Sequence, residues 1–345
     1  MRRLPLFVVL LLLAACAPRF SEPETMNRPP EMTDTAFISF DGAALPRRNW
    51  LPSGPPRAIL LALHGYNDYS AFITAAARFF QEWDIAVFSY DQRGFGAAPR
   101  PGRWGGQETM GRDLHTIIDL LGKQHPGIPL YLLGDSMGGA VILATGSRTP
   151  RLAVDGVILV APAVWARATM PWYQRAALWL GARLLPWLRV SPKGLDITPS
   201  DNRQMLQALG RDPLVMKESR IDALHGLTNL MDAAYEAAAR FDHRLLLLYG
   251  ARDEIIPAGP MSDVFRRRLR TSFVAPQRLL VYDNGYHMLL RDLQAEVVWS
   301  DILAWLAVPA ADLPSVRQGR AAELRTEADL VAALPHATRR NRAGH

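Results

Sequence analysis

The 345-residue sequence holds one cysteine, Cys16, which excludes an internal disulfide framework and any zinc site built from several thiolates. Lysine is almost missing: of 39 basic residues only Lys123, Lys193 and Lys217 are lysines. No apolar run reaches the roughly 20 residues that a membrane-crossing helix needs. Internal repeats and clusters of residues at metal-ligand spacing are also lacking, so neither a metal nor another cofactor is expected. What is present is a globular composition, 49% hydrophobic and 21% charged, with enough apolar material for a sizeable core. The net charge of +6 is a modest excess of 39 basic over 33 acidic residues. Such a balance leans toward anionic surfaces such as phospholipid and calls for no nucleic-acid partner.

Met1-Arg2-Arg3 precedes a twelve-residue apolar stretch, Leu4 to Ala15, the build of a secretory signal rather than a membrane span. The stretch ends Leu13-Ala14-Ala15-Cys16, which resembles the lipobox of bacterial lipoproteins. The resemblance implies lipidation of Cys16 and a membrane partner reached through an N-terminal lipid anchor. Ala17, in place of aspartate, implies the periplasmic face of the outer membrane of a bacterial envelope. Residues 1–15 are thus expected to be a signal peptide and 16–34, with four prolines after Ala17, a flexible tether. At the other end, residues 309–345 are rich in alanine and arginine. They are expected to be a flexible tail, or a loosely docked helix with Leu324, Ala328, Val331 and Leu334 on one stripe.

Between these ends, six short apolar runs recur: Ala58–Leu63, Ile85–Tyr90, Leu130–Leu133, Val157–Ala161, Leu245–Tyr249 and Leu279–Tyr282. Strands apolar on both faces belong to parallel sheets covered by helices on each side. Helical spacing fills the intervals, as in Leu114, Ile117, Ile118 and Leu121. A leading strand is expected over Ala36–Phe40, ahead of Asp41-Gly42. The sum is an α/β fold with a mostly parallel, doubly wound sheet, its core at residues 35–162 and 243–308. Residues 163–242 break the rhythm without a convincing strand and read as a helical cap placed where such sheets bind ligands.

After Leu130–Leu133 comes Gly134-Asp135-Ser136-Met137-Gly138-Gly139 and then a helix-like run. This is G-x-S-x-G between strand and helix, a turn too tight for side chains beside a serine that must point into a cleft. The run Leu245–Tyr249 leads into Gly250-Ala251-Arg252-Asp253, and Leu279–Tyr282 leads into Asp283-Asn284-Gly285-Tyr286-His287. Serine, acid and histidine, in that chain order and each at a strand exit, point to nucleophilic catalysis by Ser136 with His287 as base and Asp253 as its orienting acid. Glu254 and Asp283 are alternative acids. The loop His64-Gly65-Tyr66 and the residue after the serine would supply oxyanion donors through the backbone N–H groups of Tyr66 and Met137. His64 is expected to tie down its loop. Gly94-Phe95-Gly96 lacks the third glycine of a dinucleotide fingerprint, with Pro99 in its place.

These motifs resemble the α/β-hydrolases of the monoacylglycerol lipase and lysophospholipase group, which includes serine aminopeptidase-like sequences. The likeness runs from about Ala36 to Ala307 and is carried by His64-Gly65, Asp91–Gly96, Gly134–Gly139, Asp212–Val215, Gly250–Pro257 and Gly285–His287. It implies a serine hydrolase cleaving acyl esters of lipid type. Two departures stand out: Asp135 occupies a place where monoacylglycerol lipases carry histidine, an acidic choice that resembles the bacterial lysophospholipase-like members, and Met137 one where the proline peptidases carry tryptophan. The second makes peptidase activity the least favoured branch. A small-molecule esterase, a thioesterase and a catalytically idle binding module remain as rivals.

Four of the nine tryptophans, Trp165, Trp172, Trp179 and Trp187, fall in the cap. Trp172 and Trp179, seven residues apart, are expected on one helical face lining an acyl groove or its mouth; the alternative is that they pack the cap against the core. The run Arg266-Arg267-Arg268-Leu269-Arg270 is expected to be a solvated helix face.

Overall fold

The computed structural model describes residues 28–335 apart from 149 and 195; Cys16 and the apolar N-terminal stretch lie outside them. Twelve strands are present in this range: β1 (Glu31–Met32), β2 (Ala36–Ile38), β3 (Ala44–Trp50), β4 (Ala58–Leu63), β5 (Ile85–Tyr90), β6 (Leu130–Asp135), β7 (Gly156–Val160), β8 (Arg189–Val190), β9 (Ser219–Arg220), β10 (Leu245–Gly250), β11 (Gln277–Tyr282) and β12 (Ala321–Glu323). The helices are α1 (Thr74–Gln81), α2 (Gln107–Gln124), α3 (Met137–Gly146), α4 (Trp172–Leu184), α5 (Arg203–Arg211), α6 (Ile221–Ala238), α7 (Ala258–Arg270), α8 (Ala295–Ala307), α9 (Pro314–Arg317) and α10 (Glu327–Ala333).

Ten strands form one sheet in the order β1-β2-β3-β5-β4-β6-β7-β10-β11-β12, with β8 and β9 as a separate ribbon. The six central strands, β5 to β11 in that order, are parallel, and antiparallel strands close both edges. These six are the predicted apolar runs, and β4, β5, β6, β7 and β10 are buried at every position. Alternate residues serve opposite faces. Ile59, Leu61 and Leu63 pack with α2, α3, α6 and α7, while Leu60 and Ala62 pack with α1 and α8. The chain leaves β4 toward β5 on one side and returns to β6 on the other, so a topological switch point lies between β4 and β6. Open α/β sheets bind ligands at such a crevice.

The structure differs from the sequence-based boundaries in four places. Met32 pairs with Phe37 in β1, so the last residues assigned to a tether belong to the sheet. β3 was not foreseen, because Pro46-Arg47-Arg48-Asn49 lacks apolar alternation; it pairs with β5 and stacks Arg47 over Phe37 and Phe88. Within the expected cap, α6 is a core helix whose Leu230, Ala234 and Ala238 pack in the same cluster as α3. The expected tail is docked through residue 335. There β12 pairs with β11, Glu323 bridges Arg278 at 2.6 Å, and a Thr326/Asp329 capping box starts α10. α10 inserts Leu330, whereas Val331, expected on the inner stripe, is exposed.

That docking also revises the arginine run. Arg270 pairs with Glu327 of α10 at 2.5 Å and Arg267 with Asp263 at 2.8 Å. Arg268 turns inward and donates to the carbonyls of Ala238 and Phe241, capping the end of α6.

Candidate active site

The carboxyl ends of the central strands are level: Leu63 is opposite Gly134, Asp135 opposite Val160 and Gly250 opposite Tyr282. Each candidate side chain follows one of these ends. Ser136, between β6 and α3, adopts φ 49°, ψ −110°, a conformation that costs a non-glycine residue about 1–3 kcal/mol. Three backbone bonds hold it there: Ser136 N–H donates to Val160 O (2.9 Å), and Ser136 O accepts from Ala163 (2.9 Å) and Ala140 (3.1 Å). The glycines make the turn possible. A Cβ at Gly138 would lie 2.2 Å from Leu63 O, and one at Gly134 would lie 2.6 Å from Gly139 Cα.

His287 Nδ1 lies 2.8 Å from Asp253 Oδ2, and both side chains are buried. The other oxygen of Asp253 accepts the amides of Ile255 (2.8 Å) and Ile256 (2.9 Å), which fixes the carboxylate. Burial disfavours an imidazolium at position 287, but the charge and hydrogen bond of Asp253 outweigh it, and the pKa is raised. A carboxylate at Nδ1 places the proton there, leaving Nε2 as the basic nitrogen. The alternative acids are elsewhere: Glu254 accepts Thr198 N–H on the cap, and Asp283 is exposed.

Met137 is the first residue of α3, where an N–H has no intrahelical acceptor. The loop carrying Tyr66 rests on the elbow, since a methyl on Gly65 would be 3.4 Å from Ser136 Cβ and 3.3 Å from Asp135 Oδ2. His64 anchors that loop as expected. Its Nε2 accepts Gln92 N–H at 3.0 Å and its Nδ1 donates to Gly65 O at 2.7 Å, a neutral tautomer consistent with burial lowering its pKa.

Ser136, His287 and Tyr66 open into one cavity of about 510 Å³. Its apolar wall comes from the cap and α6: Trp165, Met170, Leu178, Leu224, Leu227 and Met231. Its polar wall comes from core loops: Asn67, Asp68, Asp135 and Arg291, with Asp68 and Arg291 paired at 2.7 Å. Burial pushes the Asp135 carboxyl up to about 6, against the pull of Arg291 and His287. Trp172 and Trp179 do not line the cavity. Trp172 is 77% and Trp179 49% exposed, the latter stacked under Arg183. At 100° per residue they do share a face of α4, but Gln174 and Leu178 occupy the opposite one, which faces the cavity. Helical spacing finds Leu178 as readily as Trp179; nothing in the spacing says which face points in. Asp68 and Arg291 carried no sequence signal, because the pair joins residues 223 positions apart. Among the described residues, no group of three or more His, Cys, Asp or Glu is placed to hold a metal ion.

Known proteins share this arrangement of the chain. Monoacylglycerol lipase of Mycolicibacterium smegmatis is 27% identical over 286 residues, covering 79% of this chain and 96% of that protein. Human monoglyceride lipase is 26% identical over 286 residues, covering 79% and 89%. Two solved structures superpose on the fold. The monoacylglycerol lipase of Paleococcus ferrophilus has a TM-score of 0.64 at 23% identity, covering 76% of this chain and 98% of that one. A soluble variant of the Saccharomyces cerevisiae monoglyceride lipase has 0.66 at 21% identity, covering 84% and 98%. With a family match over residues 54–294, spanning the elbow, Asp253 and His287, the chain belongs to the α/β-hydrolase family described as Hydrolase_4, serine aminopeptidase S33.

Proposed function

We propose that this protein is a serine hydrolase that cleaves carboxylic esters of lipid type, with monoacylglycerols and lysophospholipids as its substrate class. The observation that carries the reading is one cavity in which a strained serine and an acid-paired histidine meet a wall of apolar cap side chains. An acyl chain laid against Leu178, Leu224 and Met231 gains about 0.8 kcal/mol per buried methylene. The likeness to monoacylglycerol and monoglyceride lipases supports the same substrate class.

In the reaction, Ser136 Oγ attacks the ester carbonyl while His287 Nε2 takes the hydroxyl proton. The imidazolium is stabilised by Asp253 at Nδ1. The N–H groups of Met137 and Tyr66 receive the developing oxyanion, a contribution of about 2.7–4 kcal/mol per donor in comparable sites. Collapse breaks the ester C–O bond, and His287 returns its proton to the departing alcohol. A water molecule, deprotonated by His287, then frees the fatty acid from Ser136.

The substrate would be met at a membrane. Trp172, Tyr173, Trp179 and Trp187 are all exposed on the cap, aromatic side chains of the amphipathic kind that settles at bilayer interfaces. In this reading Cys16 is lipidated and holds the enzyme to the periplasmic face of a bacterial outer membrane. The test of function is hydrolysis of a panel: a long-chain monoacylglycerol, a lysophospholipid, an acyl thioester and an aminoacyl amide. Turnover led by the oxygen esters supports the reading; turnover of the amide alone contradicts it.

A further inference from the structure

Asp135 precedes the nucleophile and is 5% exposed, yet its carboxyl borders the cavity and, among the described residues, accepts no protein hydrogen bond. A buried carboxylate without a protein donor is costly unless something else donates to it. The cavity is the one place from which a donor can come. On the same polar wall, Arg291 already has a carboxylate, Asp68, at 2.7 Å. This wall therefore holds two carboxylates against one guanidinium, an excess of one negative charge. The acyl chain belongs with the apolar wall, so the alcohol portion of an ester is what faces Asp135.

We propose that Asp135 is a specificity-determining residue: its carboxylate accepts a hydrogen bond from a hydroxyl of the substrate's alcohol portion. Together with the excess charge of the wall, it selects neutral polyol or cationic head groups over anionic ones. The proposal rests on the ester-hydrolase reading above. It narrows the substrate class toward monoacylglycerols, and it disfavours lysophospholipids whose head group carries a net-negative phosphodiester. Like charges brought together at a buried contact discriminate strongly.

The experiment compares kcat/KM for 1-palmitoylglycerol and for palmitoyl lysophosphatidylglycerol, whose single phosphodiester charge does not titrate between pH 5 and 8. Wild type is expected to favour the neutral lipid, and Asp135→Asn to raise the anionic-to-neutral ratio by about tenfold. The wild-type enzyme supplies an independent reading. The groups facing Asp135 are Asp68 from the loop after β4, Asp253 after β10, and His287 and Arg291 after β11. With its carboxyl pushed up to about 6, Asp135 is charged at pH 8 and neutral at pH 5, so the same ratio should climb as pH falls. Protonation of His287 silences turnover of both lipids and cancels in the ratio. A ratio that stays flat in both the variant and the pH series overturns the proposal, as does a wild type that prefers the phosphodiester. Should the variant not fold, the pH series alone decides. Methyl palmitate, which has no head group, separates the two readings. If wild type hydrolyses neither methyl palmitate nor 1-palmitoylglycerol, the ester-hydrolase reading is lost; if either is hydrolysed while the ratio stays flat, only the role of Asp135 is lost.

Discussion

Asp253 grips His287 with one carboxylate oxygen and its own turn with the other. Oδ2 lies 2.8 Å from His287 Nδ1, and Oδ1 takes the amides of Ile255 and Ile256. The imidazole is therefore positioned by a group that cannot swing away, and its charged form is favoured in spite of burial. Catalysis needs the neutral imidazole. Because the pKa of His287 is raised from its ordinary 6.5, kcat/KM should fall as pH drops through a value above 6.5.

Asp253→Asn should lower kcat by about 10³–10⁴-fold, and any residual activity should persist to lower pH, because burial then acts on His287 against the charge of Asp135 alone. The exposed Asp283, replaced by asparagine, should change kcat by no more than about twofold. Steady-state pH profiles of the three proteins decide the matter, and the reverse ranking would move the acid.

Gly138 and Gly122 make opposite predictions for the same substitution. Gly138→Ala pushes a methyl to 2.2 Å from Leu63 O and should cost about 1–3 kcal/mol or more along with the serine turn. Gly122, in α2, has nothing within 4 Å of a new methyl, so Gly122→Ala should be neutral or stabilising by up to about 1 kcal/mol. Denaturant unfolding of both variants measures the contrast; equal effects would mean that the packing around the turn has been misassigned.

Leu178 and Trp172 divide the two faces of α4. Leu178→Trp should fill the cavity and cut kcat/KM for C12–C16 esters by about tenfold or more, while sparing a two-carbon ester. Trp172→Ala should leave the dependence on chain length intact. A chain-length series that flattens in Trp172→Ala would put the acyl groove back on the outer face.

Trp172, Trp179 and Trp187 replaced together by serine should weaken binding to phospholipid vesicles by several-fold without reducing hydrolysis of a soluble short ester. Cys16→Ala should remove the acylated N-terminal species from the mass spectrum of the mature protein. An unmodified Cys16 in the wild-type mature chain would end the lipoprotein reading.

What was legible in the sequence follows from what each element has to bury. The six central strands are covered on both faces and so are written as unbroken apolar runs. Their exits, with glycines at 134 and 138 forced by contacts below 3 Å, carry Ser136, Asp253 and His287 in readable order. β3 was hidden because its attachment is polar, Arg47 over Phe37 and Phe88; the tail showed only its weak stripe, of which Leu324 and Leu334 are buried, and gave no sign of the Glu323–Arg278 pair. The tryptophan pair was misplaced because a seven-residue spacing defines a face without saying what that face meets. Asp68 and Arg291 meet only once β4 and β11 have exposed their ends on one edge.

The proposed ester hydrolysis depends above all on Ser136 being an activated nucleophile. Reaction of the purified protein with a fluorophosphonate, followed by peptide mass spectrometry, measures that directly, because an idle serine does not react at a comparable rate. One adduct is expected, on Ser136, forming in step with the loss of monoacylglycerol hydrolysis, and none in Ser136→Ala. Hydrolysis that survives in Ser136→Ala, or an adduct on another residue that tracks the lost activity, would contradict it.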